Sequence, residues 1–198
     1  MSSQENGSIN QGKLLLDMGD FDGAIAVYTE AICLDPQNFA AYCGWARSYG
    51  KKGDFDMAVT DCTEAISLDS KNAVAYCGRA FFNIMKGEFD RAITDYTEAI
   101  CLDLQNVEAY SRRAYAFGKK GEFDKAITDY TEAIRLAPKC SGAYYNRGLT
   151  YSKKDCLNDA IADFTESIRL APEDAEAYYS RGVVYGKKGD LDKALEDL

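Results

Sequence analysis

Carboxylates recur in this chain at a fixed spacing. Asp95 and Glu98, Asp129 and Glu132, and Asp163 and Glu166 are each three residues apart, which on a helix puts both acids on one face. Paired acids of this kind can move a proton or hold a cation. Seven cysteines add nucleophilic potential. Neither chemistry is completed by its surroundings. The chain has no histidine, so the commonest general base and metal ligand is missing, and a cysteine nucleophile normally needs a base nearby. No CxxC pair occurs and the cysteine count is odd, which points to reduced thiols in a reducing compartment. The Asp-Phe-Asp and Glu-Phe-Asp turns lack the glycine and distal glutamate of a calcium loop, and no glycine-rich loop could cradle a phosphate. The acids therefore read as a solvated stripe, with Arg79, Arg113, Arg147 and Arg181 pairing to members such as Asp95 or Asp129. No catalytic residue, metal or cofactor is expected.

The elements that carry these residues repeat. The segment starting at Asp90, DRAITDYTEAI, returns at Asp124 as DKAITDYTEAI, 34 residues later. Tyr42, Tyr76, Tyr110, Tyr144 and Tyr178 keep this interval, as do Ala24, Ala58, Ala92, Ala126, Ala160 and Ala194. Each period contains two amphipathic helices, A and B. Tyr110, Ala114 and Phe117 mark one face of a helix A, and Ala126, Tyr130 and Ala133 one face of a helix B. Gly121 separates them and Pro138 follows the second, as helix ends favour. Lys119 and Lys120 fall in the last turn of helix A, where cations complement the helix dipole. One such hairpin cannot bury its apolar face alone, so neighbours must stack. The alanines Ala114 and Ala126 are expected where A and B come closest, with Tyr110, Phe117 and Tyr130 filling space between units.

This pattern resembles the tetratricopeptide repeat, whose 34-residue helix–turn–helix units carry an aromatic, a small residue and a tyrosine along helix A, and a small-aromatic-small series on helix B. The resemblance runs from about Glu5 to Leu198. It implies an all-α, right-handed α-solenoid with units at 5–38, 39–72, 73–106, 107–140 and 141–174 and a partial sixth at 175–198, forming one domain behind a flexible tail of residues 1–4. Four departures stand out. Ser70 and Leu104 replace the proline, so those turns are expected to loosen or merge the helices. Asp155 replaces the interhelix glycine. Ser8 replaces the early aromatic, and with Gln11 it could form a capping box that starts the first helix at Ile9. Cys62 replaces the helix B aromatic as a small core residue.

The resemblance also implies that the A helices line a concave groove. The positions facing it would include Cys43, Arg47, Lys51, Cys77, Phe81, Met85, Ser111, Tyr115, Lys119, Tyr145, Leu149, Lys153, Tyr179 and Val183. Aromatic and aliphatic side chains beside a line of cations suit a peptide or protein segment with apolar and acidic residues. Cys43 and Cys77 occupy equivalent places on adjacent A helices and read as two free thiols rather than a metal site. The family's clamp for chaperone C-terminal carboxylates needs lysines, asparagines and an arginine in a set frame. None of the four possible frames, among them Ser111 and Tyr115 with Asn146 and then Glu176 and Ser180, supplies more than one matching residue, so a chaperone-tail adaptor is not expected.

Charge and hydropathy point the same way. The net charge of −9 and pI near 4.6 oppose the phosphate-driven affinity of nucleic-acid binders, and helical-repeat RNA binders resembling this architecture have a 35-residue period and a basic surplus. No segment reaches the ~20 apolar residues that span a bilayer, and the N-terminus lacks the features of a signal peptide, which gives the expectation of a cytoplasmic protein. The function implied is a non-catalytic protein–protein interaction scaffold. The alternative is a recruiting arm of a larger protein. The short final helix carries Leu191, Ala194, Leu195 and Leu198, and this apolar end is expected to give weak self-association.

Overall fold

In a computed structural model, residues 3–197 can be described, and side chains from Gly7 onward. All secondary structure among them is helical. Contacts divide the chain into two compact units, 1–104 and 105–198.

The first unit contains α1 (Ser3–Asp17), α2 (Phe21–Leu34), α3 (Phe39–Lys52), α4 (Phe55–Leu68), α5 (Ala73–Met85) and α6 (Phe89–Leu102). Odd-numbered helices are the A helices and even-numbered ones the B helices. Each packs on its neighbour in sequence, and α3 also touches α1 and α5. Polar caps define the ends. Asp20, Asn38 and Asp54 each accept the backbone N–H three residues on, satisfying an orphan donor of the helix start. The turn at Ser70 neither loosens nor merges its helices. Asp69 accepts from the Lys71 amide and Asn72 from the Val74 amide, so side-chain caps do what the missing proline would have done. Helix α6 likewise stops at Leu102, before Leu104. The capping-box start at Ile9 is also corrected: α1 begins at Ser3 and runs through Ser8 and Gln11 without a break.

Core packing in this unit turns on small residues beside rings. The Tyr28 ring, 1% exposed, lies so close to Gly12 on α1 and Gly44 on α3 that an added Cβ would sit 2.4 and 2.3 Å from its Cζ. One helix B aromatic is thus wedged between its own A helix and the next. Cys62 is buried, as expected of a small core residue, in a cluster with Ala46, Ala58 and Phe82.

The second unit contains α7 (Val107–Lys119), α8 (Phe123–Leu136), α9 (Ser141–Lys153), α10 (Leu157–Leu170), α11 (Ala175–Lys188) and α12 (Leu191–Asp197). Ala114 and Ala126 are fully buried against Tyr130, with Phe117 packed on them, as the small-residue pattern predicts. Gly121 adopts φ 78°, and Asp155, which replaces the equivalent glycine, holds the same left-handed conformation at φ 62°. Aspartate tolerates this region better than most residues. On α12, Leu191 and Leu195 are exposed. Leu198, counted in that apolar face, lies outside the described residues, as do Met1 and Ser2 of the expected tail. Among the described residues no helix is long and apolar enough to cross a membrane.

Candidate functional site

The arginines and the acids are the first to find their places. Arg79 donates from Nε and Nη2 to both oxygens of Asp95, at 3.0 and 2.7 Å. The same fork joins Arg113 to Asp129, Arg147 to Asp163 and Arg181 to Asp197, always sixteen residues apart and within 2.8 Å. Arg79, Arg147 and Arg181 also donate from Nη1 to a threonine of the preceding B helix, Thr63, Thr131 and Thr165. The guanidinium therefore bridges its own hairpin and the one before, using the planar donor fork that lysine lacks. The expected solvated stripe is corrected in part. Asp95, Asp129 and Asp163 are buried, because an acid that faces the A helix must be desolvated and so needs its arginine. Glu132 and Glu166 stay at the surface and pair with Arg135 and Arg169 one turn on.

The Lys-Lys pairs that end the A helices, Met85-Lys86 on α5, split between two tasks. The second member reaches back to the first turn of the preceding B helix: Lys52 to Asp22 at 2.5 Å, Lys86 to Asp56 at 2.7 Å, and Lys154 to Asp124. Lys188 meets Asn158 at 2.5 Å in the same register. The first member is not drawn in. Lys51, Lys119 and Lys153 are exposed and have no ion pair among the described residues.

The residues assigned to an A-helix groove fall in both units. In the first, Arg47 and Lys51 on α3 are exposed and Met85 on α5 is half exposed, while Phe81 is partly buried against Phe82, with ring centroids 5.4 Å apart. In the second, Tyr115 on α7 and Tyr179 and Val183 on α11 are exposed at 41%, 62% and 38%. Lys119 Nζ lies 5.2 Å from the Tyr115 ring centroid, within cation–π range. Tyr145 and Leu149 on α9 sit between them and are half-buried against Phe164. The Tyr145 hydroxyl is 3.4 Å from that of Ser180, tying α9 to α11. Ser111 is half-buried on α7. The second unit thus brings exposed aromatic and aliphatic side chains together with Lys119 and Lys153 on three adjacent A helices.

Two of the thiols are poorly suited to nucleophilic work. All seven are free. Burial pushes the Cys43 thiol up to about 11 and the Cys62 thiol up to about 12, and the neutral thiol is a weak nucleophile. Among the described residues no group of three or more acids or cysteines is placed to hold a metal.

Two features escaped the sequence reading. Trp45 occupies the place of the bridging arginine in the second hairpin, which leaves Asp61 without one. Asn83 occupies the place of an aromatic on α5. Both would stand out when residues 34 apart are aligned.

Tetratricopeptide repeat profiles match residues 39–72, 107–140, 141–174 and 164–196, and a TPR repeat profile matches 12–53 and 84–121. No curated protein matches the sequence. Among solved structures the chain is similar to MamA, with 29% identity, a TM-score of 0.77 and coverage of 83% of this chain and 96% of that one. YrrB, a TPR protein with an unusual peptide-binding site, shares 23% identity at a TM-score of 0.71 and 86% and 88% coverage. A tetratricopeptide repeat protein from Parabacteroides merdae shares 20% identity at a TM-score of 0.84 and 99% and 78% coverage. The last two show the fold alone. With repeat profiles matching nearly end to end and hairpins in the matching register, the chain belongs to the tetratricopeptide repeat family.

Proposed function

We propose that this chain is a non-catalytic scaffold that binds a peptide or protein segment along the exposed face of its A helices. The observation that carries the reading is the surface formed by α7, α9 and α11. Tyr115, Tyr179 and Val183 stand exposed there, and Lys119 and Lys153 are left out of the ties that occupy Lys154 and Lys188. Exposed aromatics with a polar tip give large contact area at little entropic cost. Unpaired cations beside them select acidic residues and speed encounter. The matching segment combines aromatic or aliphatic residues with aspartate or glutamate. Arg47, Lys51, Phe81 and Met85 offer a similar mixture on α3 and α5. The peptide-binding site of YrrB supports the reading by analogy of fold.

The test is a pull-down from native extract with the wild-type chain and with Tyr115→Ala/Tyr179→Ala. Both tyrosines are surface residues, so helical content should be unchanged while partner recovery falls at least tenfold. Undiminished recovery by the double variant would overturn the assignment to this face.

A further inference from the structure

At the 34-residue period, Asn83 on α5 takes a place that elsewhere holds Tyr49, Phe117, Tyr151 and Tyr185. The cations around that place are retained. Arg79 aligns with Arg113, and Arg91 with Lys125. In the fourth hairpin the Phe117 ring lies beside both, its centroid 6.0 Å from the Arg113 guanidinium and 5.3 Å from the Lys125 ammonium. The Arg147 guanidinium lies 5.9 Å from the Tyr151 ring, and the Lys193 ammonium 5.4 Å from the Tyr185 ring. Carboxylates do not draw the cations away from these rings. Arg113 is forked to Asp129 while Lys125 is paired with Glu122. In the same register Arg79 is forked to Asp95 and Arg91 is paired with Glu88. The third hairpin keeps both cations and both of their carboxylates, and omits the ring.

An open depression of about 330 Å³ lies at this place, where α4, α5 and α6 meet, lined by Val59, Thr63, Arg79, Asn83, Arg91 and Asp95. Asn83 is 2% exposed and its Nδ2 donates to Asp95 Oδ2 at 3.4 Å. It therefore forms the floor of the depression, whereas the longer Tyr49, Phe117, Tyr151 and Tyr185 reach partly exposed surface. The lost bulk has moved one residue along α5 to Phe82, which is buried on another side of the helix and stacked on Phe55, with centroids 6.5 Å apart. The volume is at the lower end of the range for small-molecule sites, which suits a single ring. The Arg79 and Arg91 side chains are 23% and 70% exposed, so both can be touched from solvent.

We infer that this depression docks an aromatic side chain of a partner protein, a phenylalanine or tyrosine ring set against Arg79 and Arg91 from outside, in the place that Phe117 fills from within. The ring face meets the guanidiniums as Phe117 meets Arg113 and Lys125, and Val59 supplies an apolar wall. A side chain suits the site better than a free ring. The depression is open, and the residues flanking the ring on its own chain would cover its outer face and exclude water, as they do around an interface anchor. The site lies among α4, α5 and α6, apart from the residues proposed to bind a segment on α7, α9 and α11, so either assignment can fail alone.

The test titrates N-acetyl-phenylalanine amide into the ¹⁵N-labelled full chain. N-acetyl-cyclohexylalanine amide serves as a probe of similar bulk without a π face, and toluene as a free ring. The phenylalanine probe should give saturable ring-current shifts of the Arg79 and Arg91 Nε–H signals at millimolar concentration, the range of a single-ring ligand. The cyclohexyl probe should bind roughly two- to fivefold more weakly, the fold-change of a cation–π contact at an exposed site. Arg91→Gln, a surface change, should weaken the phenylalanine probe by a similar factor. Asn83→Phe supplies the ring from within and should abolish binding of the probe. No saturable shift, equal binding of the cyclohexyl probe, undiminished binding by Arg91→Gln, or binding that survives in Asn83→Phe would each overturn the proposal. Saturable shifts with toluene and none with the phenylalanine probe would assign a free aromatic molecule and overturn the protein-borne ring.

Discussion

Arg147 holds both carboxylate oxygens of Asp163 at 2.8 Å while its third donor reaches Thr131 on the preceding B helix. The side chains are 16% and 8% exposed, so neither charge is well hydrated without the other. Removing the arginine alone strands a buried carboxylate, and Arg147→Ala should cost about 3 kcal/mol, the lower end for breaking a buried pair. Replacing both by leucine should cost far less than the sum of the single changes, because no charge is then left uncompensated. Denaturant titration of the two single variants and the double variant checks this. Additive costs would mean that the pair is not coupled.

The second hairpin lacks this arrangement, and stability should respond to pH because of it. Trp45 stands where the third to sixth hairpins carry arginine, and Asp61 is 2% exposed with Oδ2 unpartnered. Burial pushes the Asp61 carboxyl up to about 7, reinforced by the negative charges of Asp54 and Glu64. The folded state therefore binds this proton more tightly than the unfolded chain, whose aspartates titrate near ~4. The contribution to stability is full below about pH 4 and is lost as pH rises through about 7. Asp61→Asn should remove this loss, gaining on the order of 3 kcal/mol over wild type at pH 8 and little at pH 4. Unfolding free energies measured at both pH values check it. An equal effect of the substitution at the two values would show that Asp61 does not titrate in this window.

A tight fit should be just as visible. The Tyr28 ring is pinned between Gly12 and Gly44. In an open helix, glycine to alanine gains up to ~1 kcal/mol. Here the new methyl group meets a ring that cannot retreat, since α1 closes its other side. Gly44→Ala should therefore destabilise by about 1–3 kcal/mol, as overpacking does. Thermal unfolding decides the sign. A rise in melting temperature would mean that Tyr28 can move aside.

What repeats in this chain was legible, and what departs from the repeat was not. The alanine at the place of Ala126 recurs in every period, the tyrosine at the place of Tyr110 in all but the first, and the place of Ala114 always holds alanine or glycine, so the helix faces, the turns and the arginine–aspartate pairing follow from pattern alone. The burial of Asp95, Asp129 and Asp163 depends on the depth of the A–B interface, which helical spacing does not report. Trp45 is a single departure whose effect falls on another residue, Asp61 sixteen places on. A pattern that identifies the typical residue at a position says little about the space left when that residue is absent. Among the groove candidates, periodicity put Phe81, Tyr145 and Leu149 on the same face as Tyr115 and Tyr179. Only packing separates the half-buried members from the exposed ones.

The division of labour within the lysine pairs gives the last prediction. Lys153 and Lys154 are neighbours of identical chemistry, yet Lys154 is tied to Asp124 and Lys153 is exposed without an ion pair among the described residues. The tie is a surface contact, and such pairs contribute little to stability. Lys154→Gln should thus lower stability slightly and leave binding to an acidic partner segment nearly unchanged. Lys153→Gln should leave stability unchanged and slow association, with a smaller salt dependence than wild type, because exposed charges steer encounter over ~10 Å at 0.1 M salt. Paired measurements of melting temperature and association rate on the two variants test this. A rate loss confined to Lys154→Gln would place the binding cations on the wrong member of each pair.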